Sequence, residues 1–218
     1  MLNRARLAPF AAALRRETRA TALIETALLL PTLLFVGLGG IELTNLALAH
    51  MRISQAASML ADNASRVSTD VGSTQPLVRE FDVNELLQTV LDRNASIDLK
   101  TRGRVILSSL ERNPDGGQWI HWQRCIGEKI FASTYGGEGT GVSGTSYPGM
   151  GDAGRLVKAP PTGAVMFVEI VYDYQPVAYG PWLGPKQLRY TSSFMVRDER
   201  DLSRIYNPSP ASPVANCA

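Results

Sequence analysis

One apolar run constrains this chain more than any other feature. Between Ala20 and Ala49 there is no basic residue, the only acids are Glu25 and Glu42, and Thr26–Ile41 is uncharged and rich in leucine. The hydrocarbon core of a bilayer takes roughly 20 apolar residues of α-helix, and Thr21–Ala49 supplies them. A cleaved secretory signal has an apolar region of only about 7–15 residues before a small-residue cut site. This run is longer and leads straight into a helical pattern, so it reads as an anchor that is kept. Arg4, Arg6, Arg15, Arg16 and Arg19 precede it, opposed by the single acid Glu17. Basic residues stay on the cytoplasmic side, so the sequence predicts a single-pass protein of the cytoplasmic membrane, N-terminus inside and the rest outside. Net charge (+2) and mean hydropathy (−0.05) are those of an ordinary soluble protein; only the segregation along the chain reveals the anchor.

Pro31 lies within the run, where it removes one backbone hydrogen bond and favours a kink, which membrane helices accommodate. Beyond His50, Met51, Ile53, Ala56, Ala57, Leu60, Ala64 and Val67 recur close to every 3.6 residues. One helix is therefore expected from about residue 18 to 68. After a turn-rich break (Asp70–Pro76), Asp82–Asn94 reads as a second helix, with Asp82 and Glu85 as a capping box. Its apolar stripe is Val83, Leu86, Leu87, Val90 and Leu91. Four strands are expected at Arg104–Leu110, Gln118–Ile126, Val165–Tyr174 and Gln187–Val196. The third sets Met166, Val168, Ile170, Tyr172 and Tyr174 on one side, the period-two pattern of a sheet with one buried face. The expected fold class is α+β: a long N-terminal transmembrane helix, then a mostly antiparallel sheet packed on helices. The expected segments are a basic leader (1–19), the transmembrane and continuing amphipathic helix (20–68), an extracytoplasmic domain (69–206) and a proline-rich tail (207–218).

Little in the chain suggests chemistry. Gly139, Gly141 and Gly144 have the spacing of a dinucleotide-binding motif, but Pro148 follows where a helix should begin and the distal acid is missing. Gly136–Gly154 is expected to be an exposed, flexible loop. His121, between Trp119 and Trp122, is read as projecting from a strand, and His50 as lying at the membrane boundary. Asp198–Asp201 reads as a solvated strand end. No nucleophile signature, metal-ligand spacing or cofactor motif occurs, so no enzyme, metal or cofactor is expected. The two cysteines, Cys125 and Cys217, form an even pair in an extracytoplasmic domain and point to a disulfide. It would close a loop of about 90 residues, worth on the order of 4–5 kcal/mol in the chain-entropy model.

Glu25 and Glu42 stand out because an ionised carboxylate deep in lipid costs at least about 2.5–3.5 kcal/mol. Each reads either as an interfacial acid or as a charge that meets a partner when subunits assemble. Gly37, Gly39 and Gly40 would let another helix approach closely.

The segment Thr21-Ala-Leu-Ile-Glu25-Thr-Ala-Leu-Leu-Leu-Pro31, closed by Gly40-Ile-Glu42-Leu43, resembles the TadE-type module of tight-adherence (Tad, Flp) pilus systems over about residues 19–60. Trp122–Gly127 and Phe194–Asp198 resemble extracytoplasmic parts of some members. The resemblance implies a pilin-like minor pseudopilin that helps assemble a type IV-like pilus. Its implied partners are other pilus or pseudopilin subunits, an inner-membrane assembly platform, prepilin peptidase and membrane lipid, with no nucleic acid. It also implies a peptidase cut between Ala20 and Thr21, which makes Glu25 the fifth residue of the cut chain, placed to pair with a neighbour's new N-terminal amine. Ala20 stands where pilins carry glycine, and Thr26 where an aromatic residue often follows the glutamate. The alternative reading is a membrane-anchored periplasmic binding or secretion-associated module unrelated to pili. A tethered hydrolase would need His121 joined to a serine and an acid in one pocket.

Overall fold

The computed structural model describes residues 19–70, 72, 75–180 and 184–217; most of the expected leader and Ala218 lie outside this range. The elements are α1 (Arg19–Arg66), α2 (Glu80–Arg93), a 3₁₀ turn (Ala95–Ile97), α3 (Leu99–Arg102), β1 (Gly103–Arg112), β2 (Gln118–Ile126), β3 (Val165–Tyr174) and β4 (Lys186–Met195). The four strands form one antiparallel sheet in the order β2-β1-β3-β4. The α+β expectation is met. Two compact units emerge: Met1–Leu46 with Pro176–Gly184, and Ala47–Gln175 with Pro185–Ala218.

In the larger unit, α1 contributes residues 47–66. Ala49, Ile53, Ala56, Ala57, Leu60, Ala61 and Ala64 are buried, the i, i+4, i+7 recurrence of one helical face. The stripe starts at Ala49 rather than Met51, which is exposed. Side chains of this segment reach β4: His50 Nδ1 lies 2.9 Å from the Tyr190 hydroxyl, and Ser58 Oγ lies 3.4 Å from Ser192 Oγ. At the helix end Arg200 donates to the carbonyls of Ala64 (3.0 Å) and Val67 (2.6 Å). It satisfies acceptors that a helix C-terminus leaves open. The expectation of a solvated strand end is thus corrected at Arg200, which is buried, and burial lowers its pKa to about 10.

The second helix begins two residues earlier than expected. Asp82 is its third residue, not its cap: its carboxylate accepts the Arg79 backbone N–H at 3.3 Å and the Arg79 guanidinium at 2.8 and 3.0 Å. That ion pair holds the Asp82 carboxyl below the usual aspartate range. From α2, Glu80 meets Arg124 on β2 through Oε1 at 2.6 Å, and Glu138 takes another guanidinium nitrogen at 2.9 Å. Both Glu80 and Arg124 are buried, so neither charge has bulk water to fall back on.

The largest departure from expectation concerns the faces of the sheet. The sequence pattern suggests one buried face, yet β1 and β3 are buried along nearly their whole length on both. One face carries Val105, Leu107, Met166, Val168 and Ile170 toward the helices. The other carries Leu110, Ile120, Val165 and Phe167, which cluster with Met150 and Ala159, flanked by Tyr135, Tyr147 and Val157. From the glycine-rich segment Met150 and Tyr147 reach into that second cover, while most of Gly136–Gly154 is an exposed loop of turns, as expected. Glu169, 1% exposed on β3, anchors it by accepting from Ser133 Oγ (2.9 Å), the Thr134 N–H (3.1 Å) and Thr134 Oγ1 (2.7 Å). Asn113, in the β1–β2 turn, donates to the carbonyls of Gly141 and Gly144 at 2.8 and 2.7 Å. Gly141 is required: its φ is +78°, and a Cβ there would lie 2.2 Å from the Gln118 carbonyl oxygen.

Removing one partner of a buried ion pair strands the other charge and typically costs about 3–5 kcal/mol, whereas an apolar replacement of both is often close to neutral. Glu80→Ala is accordingly expected to lower stability by about 3 kcal/mol, and the double variant Glu80→Met/Arg124→Leu by clearly less. Denaturant melts of the full-length protein in detergent measure both.

Candidate functional site

The smaller unit holds most of the residues singled out from the sequence. From Thr21 to Ile41 every residue of α1 is exposed except Gly39, which is half-buried. Leu23, Leu28, Leu33, Leu34, Phe35 and Val36 are among the exposed side chains. Nothing among the described residues covers this Leu-rich surface, and the helix is long and apolar enough to cross a membrane. Two of its hydroxyls are satisfied internally: Thr26 and Thr44 each donate to the carbonyl four residues back at 2.8 Å. Pro31 lies inside the helix, which continues on both sides of it.

Glu25 and Glu42 bracket the apolar stretch. Seventeen positions at about 1.5 Å per residue separate them by roughly 26 Å, slightly less than a hydrocarbon core of about 30 Å. Their settings differ. Glu25 is exposed in the first turns of α1. Glu42 is 4% exposed, and its Oε2 accepts the backbone N–H groups of Val177 and Ala178, both at 2.8 Å. Glu42 therefore meets partners within its own chain, in the β3–β4 connector. The connector also seats Tyr179 against α1. Its hydroxyl donates to the Phe35 carbonyl at 2.5 Å, and its ring meets the Phe35 ring edge-on at 5.4 Å. Phe35, Gly39 and Glu42 follow the i, i+4, i+7 spacing of one helix face. A Cβ on Gly39 would lie 3.8 Å from the Tyr179 ring, whereas Gly37 and Gly40 face open space.

In the larger unit Cys125 and Cys217 form the expected disulfide, with Cα atoms 4.9 Å apart. Cys125 sits on β2, an outer strand of the sheet, and its N–H donates to the Ala215 carbonyl at 2.8 Å. The same edge is capped elsewhere: Ile120 N–H donates to the Thr140 carbonyl at 2.9 Å and Gln123 N–H to Glu138 at 3.0 Å. An uncovered sheet edge is a template for unwanted pairing, and the glycine-rich segment and the tail close this one.

The structure also brings His121 together with a serine and an acid, though not in a catalytic order. His121 Nδ1 lies 2.9 Å from Glu111 Oε2, and Ser109 Oγ donates to Glu111 Oε1 at 2.6 Å. The acid stands between the other two, so no imidazole is placed to take a proton from the serine. Ser109 is fully buried, and the Trp119 ring stacks on His121 at 4.1 Å. The trio reads as a buried polar network. Among the described residues no group of three His, Cys, Asp or Glu side chains is placed to hold a metal ion.

Sequence reasoning missed the connector as a partner for Glu42. The available signal was a chargeless stretch, Pro176–Pro185, holding tyrosine, tryptophan and three prolines, between two strands that otherwise pair directly.

Residues 20–62 match the family model described as TadE-like protein. This meets the resemblance drawn from Glu25, Pro31 and Glu42. No curated protein and no solved structure matches the chain.

Cys217→Ser is expected to cost up to about 4–5 kcal/mol, the chain-entropy value for a loop of this size. Urea midpoints with and without reductant check it. Reductant should shift the natural chain to the position of the variant and leave the variant unmoved.

Proposed function

We propose that this protein is a TadE-like minor pseudopilin that helps assemble a tight-adherence, type IV-like pilus. The observation that carries the reading is a coincidence of boundaries. The TadE-like match covers residues 20–62, and within it lies the helical surface, Thr21–Ile41, exposed and apolar among the described residues. Burying such a surface in lipid is favourable by about 25 cal/mol per Å² of apolar area.

In this reading residues 20–68 are the membrane-spanning and continuing helix, 1–19 a basic cytoplasmic leader, 69–206 the extracytoplasmic domain and 207–218 its tail. The arginines of the leader fix the orientation in the bacterial cytoplasmic membrane. The protein acts by association and not by catalysis. Its partners are other pilus or pseudopilin subunits, the inner-membrane assembly platform and surrounding lipid. Prepilin peptidase cuts between Ala20 and Thr21, leaving Glu25 as the fifth residue. A carboxylate and a new amine are each costly in lipid, and pairing them between subunits removes both costs. Glu25 is exposed and free of the connector that takes Glu42, which supports giving it that role. Gly37 and Gly40, open on the helix surface, suit the close approach of a neighbouring helix.

The test is complementation of a strain lacking the gene. Glu25→Gln is expected to reduce surface pili and adherence at least about tenfold, equivalent to losing about 1.4 kcal/mol of subunit pairing, while the membrane level of the protein stays the same. Glu85→Gln, on an exposed position of α2, should complement fully. Normal piliation with Glu25→Gln would remove the charge-pairing mechanism.

A further inference from the structure

We propose that Pro176–Gly180, which follows β3, is a second membrane-contacting element, a loop that dips into the outer leaflet beside α1 and is seated there by Glu42. The inference rests on the reading that α1 spans a bilayer, and it adds a site that the TadE-like match, ending at residue 62, does not reach.

Irregular backbone is tolerated at membrane depth only where its polar groups find partners other than water, because each unsatisfied N–H or C=O there costs several kcal/mol. The connector meets that condition in an unusual way. The consecutive N–H groups of Val177 and Ala178 both donate to the one Glu42 carboxylate. An acid that would be expensive in lipid and two amides that would be expensive in lipid thus satisfy one another. The Tyr179 hydroxyl, the polar side-chain group of Pro176–Gly180, donates to the Phe35 carbonyl.

The depth follows from the helix. Phe35 and Glu42 are seven residues apart, so these contacts extend over roughly 10 Å of the axis. They lie among exposed apolar side chains: Leu34, Leu38, Ile41 and Leu43 are all open on the same stretch of helix. Pro176–Gly180 carries no charge, and Val177 is 72% exposed, with its side chain outward while its N–H is held. A loop with two amides and its tyrosine hydroxyl turned onto α1 and an aliphatic side chain turned outward is matched to lipid. Tyrosine, with an apolar ring and a polar tip, is enriched at this boundary.

Single-cysteine labelling of the full-length protein tests the proposal directly. Among the described residues both native cysteines are in the disulfide, so an introduced cysteine takes the thiol probe selectively. An environment-sensitive fluorophore is attached at Val177→Cys, at Leu33→Cys within the apolar run, or at Val142→Cys on the exposed glycine-rich segment. Each protein is reconstituted alone into phosphatidylethanolamine–phosphatidylglycerol vesicles containing spin-labelled lipid. The probes at positions 33 and 177 should be quenched at least about twofold more than that at 142, with blue-shifted emission, as expected for groups in hydrocarbon and not in water. Adding Glu42→Ala to Val177→Cys should bring its quenching down to the level seen at 142. If position 33 is unquenched, the spanning reading fails and the inference with it. If 33 is quenched but 177 behaves like 142, the dipping loop is overturned while the anchor stands. If 177 is quenched equally with and without Glu42→Ala, the seating by Glu42 is overturned.

Discussion

Polar groups in hydrocarbon must be satisfied by the chain itself, and in the proposed membrane-spanning reading the smaller unit is organised around that constraint. It accounts for the helical form of the apolar run and for the back-bonded threonines at positions 26 and 44. It also accounts for Glu42, whose carboxylate is spent on the amides of a segment 135 and 136 residues further along the chain. Glu25 is the contrasting case, an acid with the same intrinsic cost that the fold leaves open. Such a group is suited to a partner that arrives from another subunit.

The continuation of α1 beyond residue 46 obeys a different constraint. There its alanine-rich stripe faces protein, and the sheet closes against it and α2 on one side and against the glycine-rich segment on the other. Polar anchors fix each cover: Arg124 with Glu80 on the helical side, Glu169 with Ser133 and Thr134 on the other. Such buried charges add little net stability when paired but are costly when orphaned. They therefore specify which cover sits where. The disulfide then ties the tail across the outer edge of β2 and shrinks the unfolded ensemble.

Much of this was legible in the sequence where the physics is local. Residues 118–126 and 165–174 carry β-rich patterns and form strands with those bounds. The α1 periodicity places the helix to within two residues of its described ends, and the even cysteine count gives the bridge. What sequence did not reveal is non-local. The pattern of β3 cannot say that both of its faces are covered, because a doubly buried strand and a half-buried one differ only in what packs on them from afar. The short helical turns at Ala95–Ile97 and Leu99–Arg102 are too brief to show a period. The capping role of Asp82 was assigned to the wrong position because its partner, Arg79, bonds through both backbone and side chain. At the candidate site, Glu42 was visible as an anomaly, but its connector partner depends on where β3 and β4 pair.

The most direct test of the central claim, that the apolar helix belongs to a processed pilus subunit, is the intact mass and N-terminus of the protein from its own membranes. It is measured with and without prepilin peptidase. The account expects a chain beginning at Thr21 when the peptidase is present and the full-length chain when it is absent. A chain beginning at Met1 in both strains would contradict it.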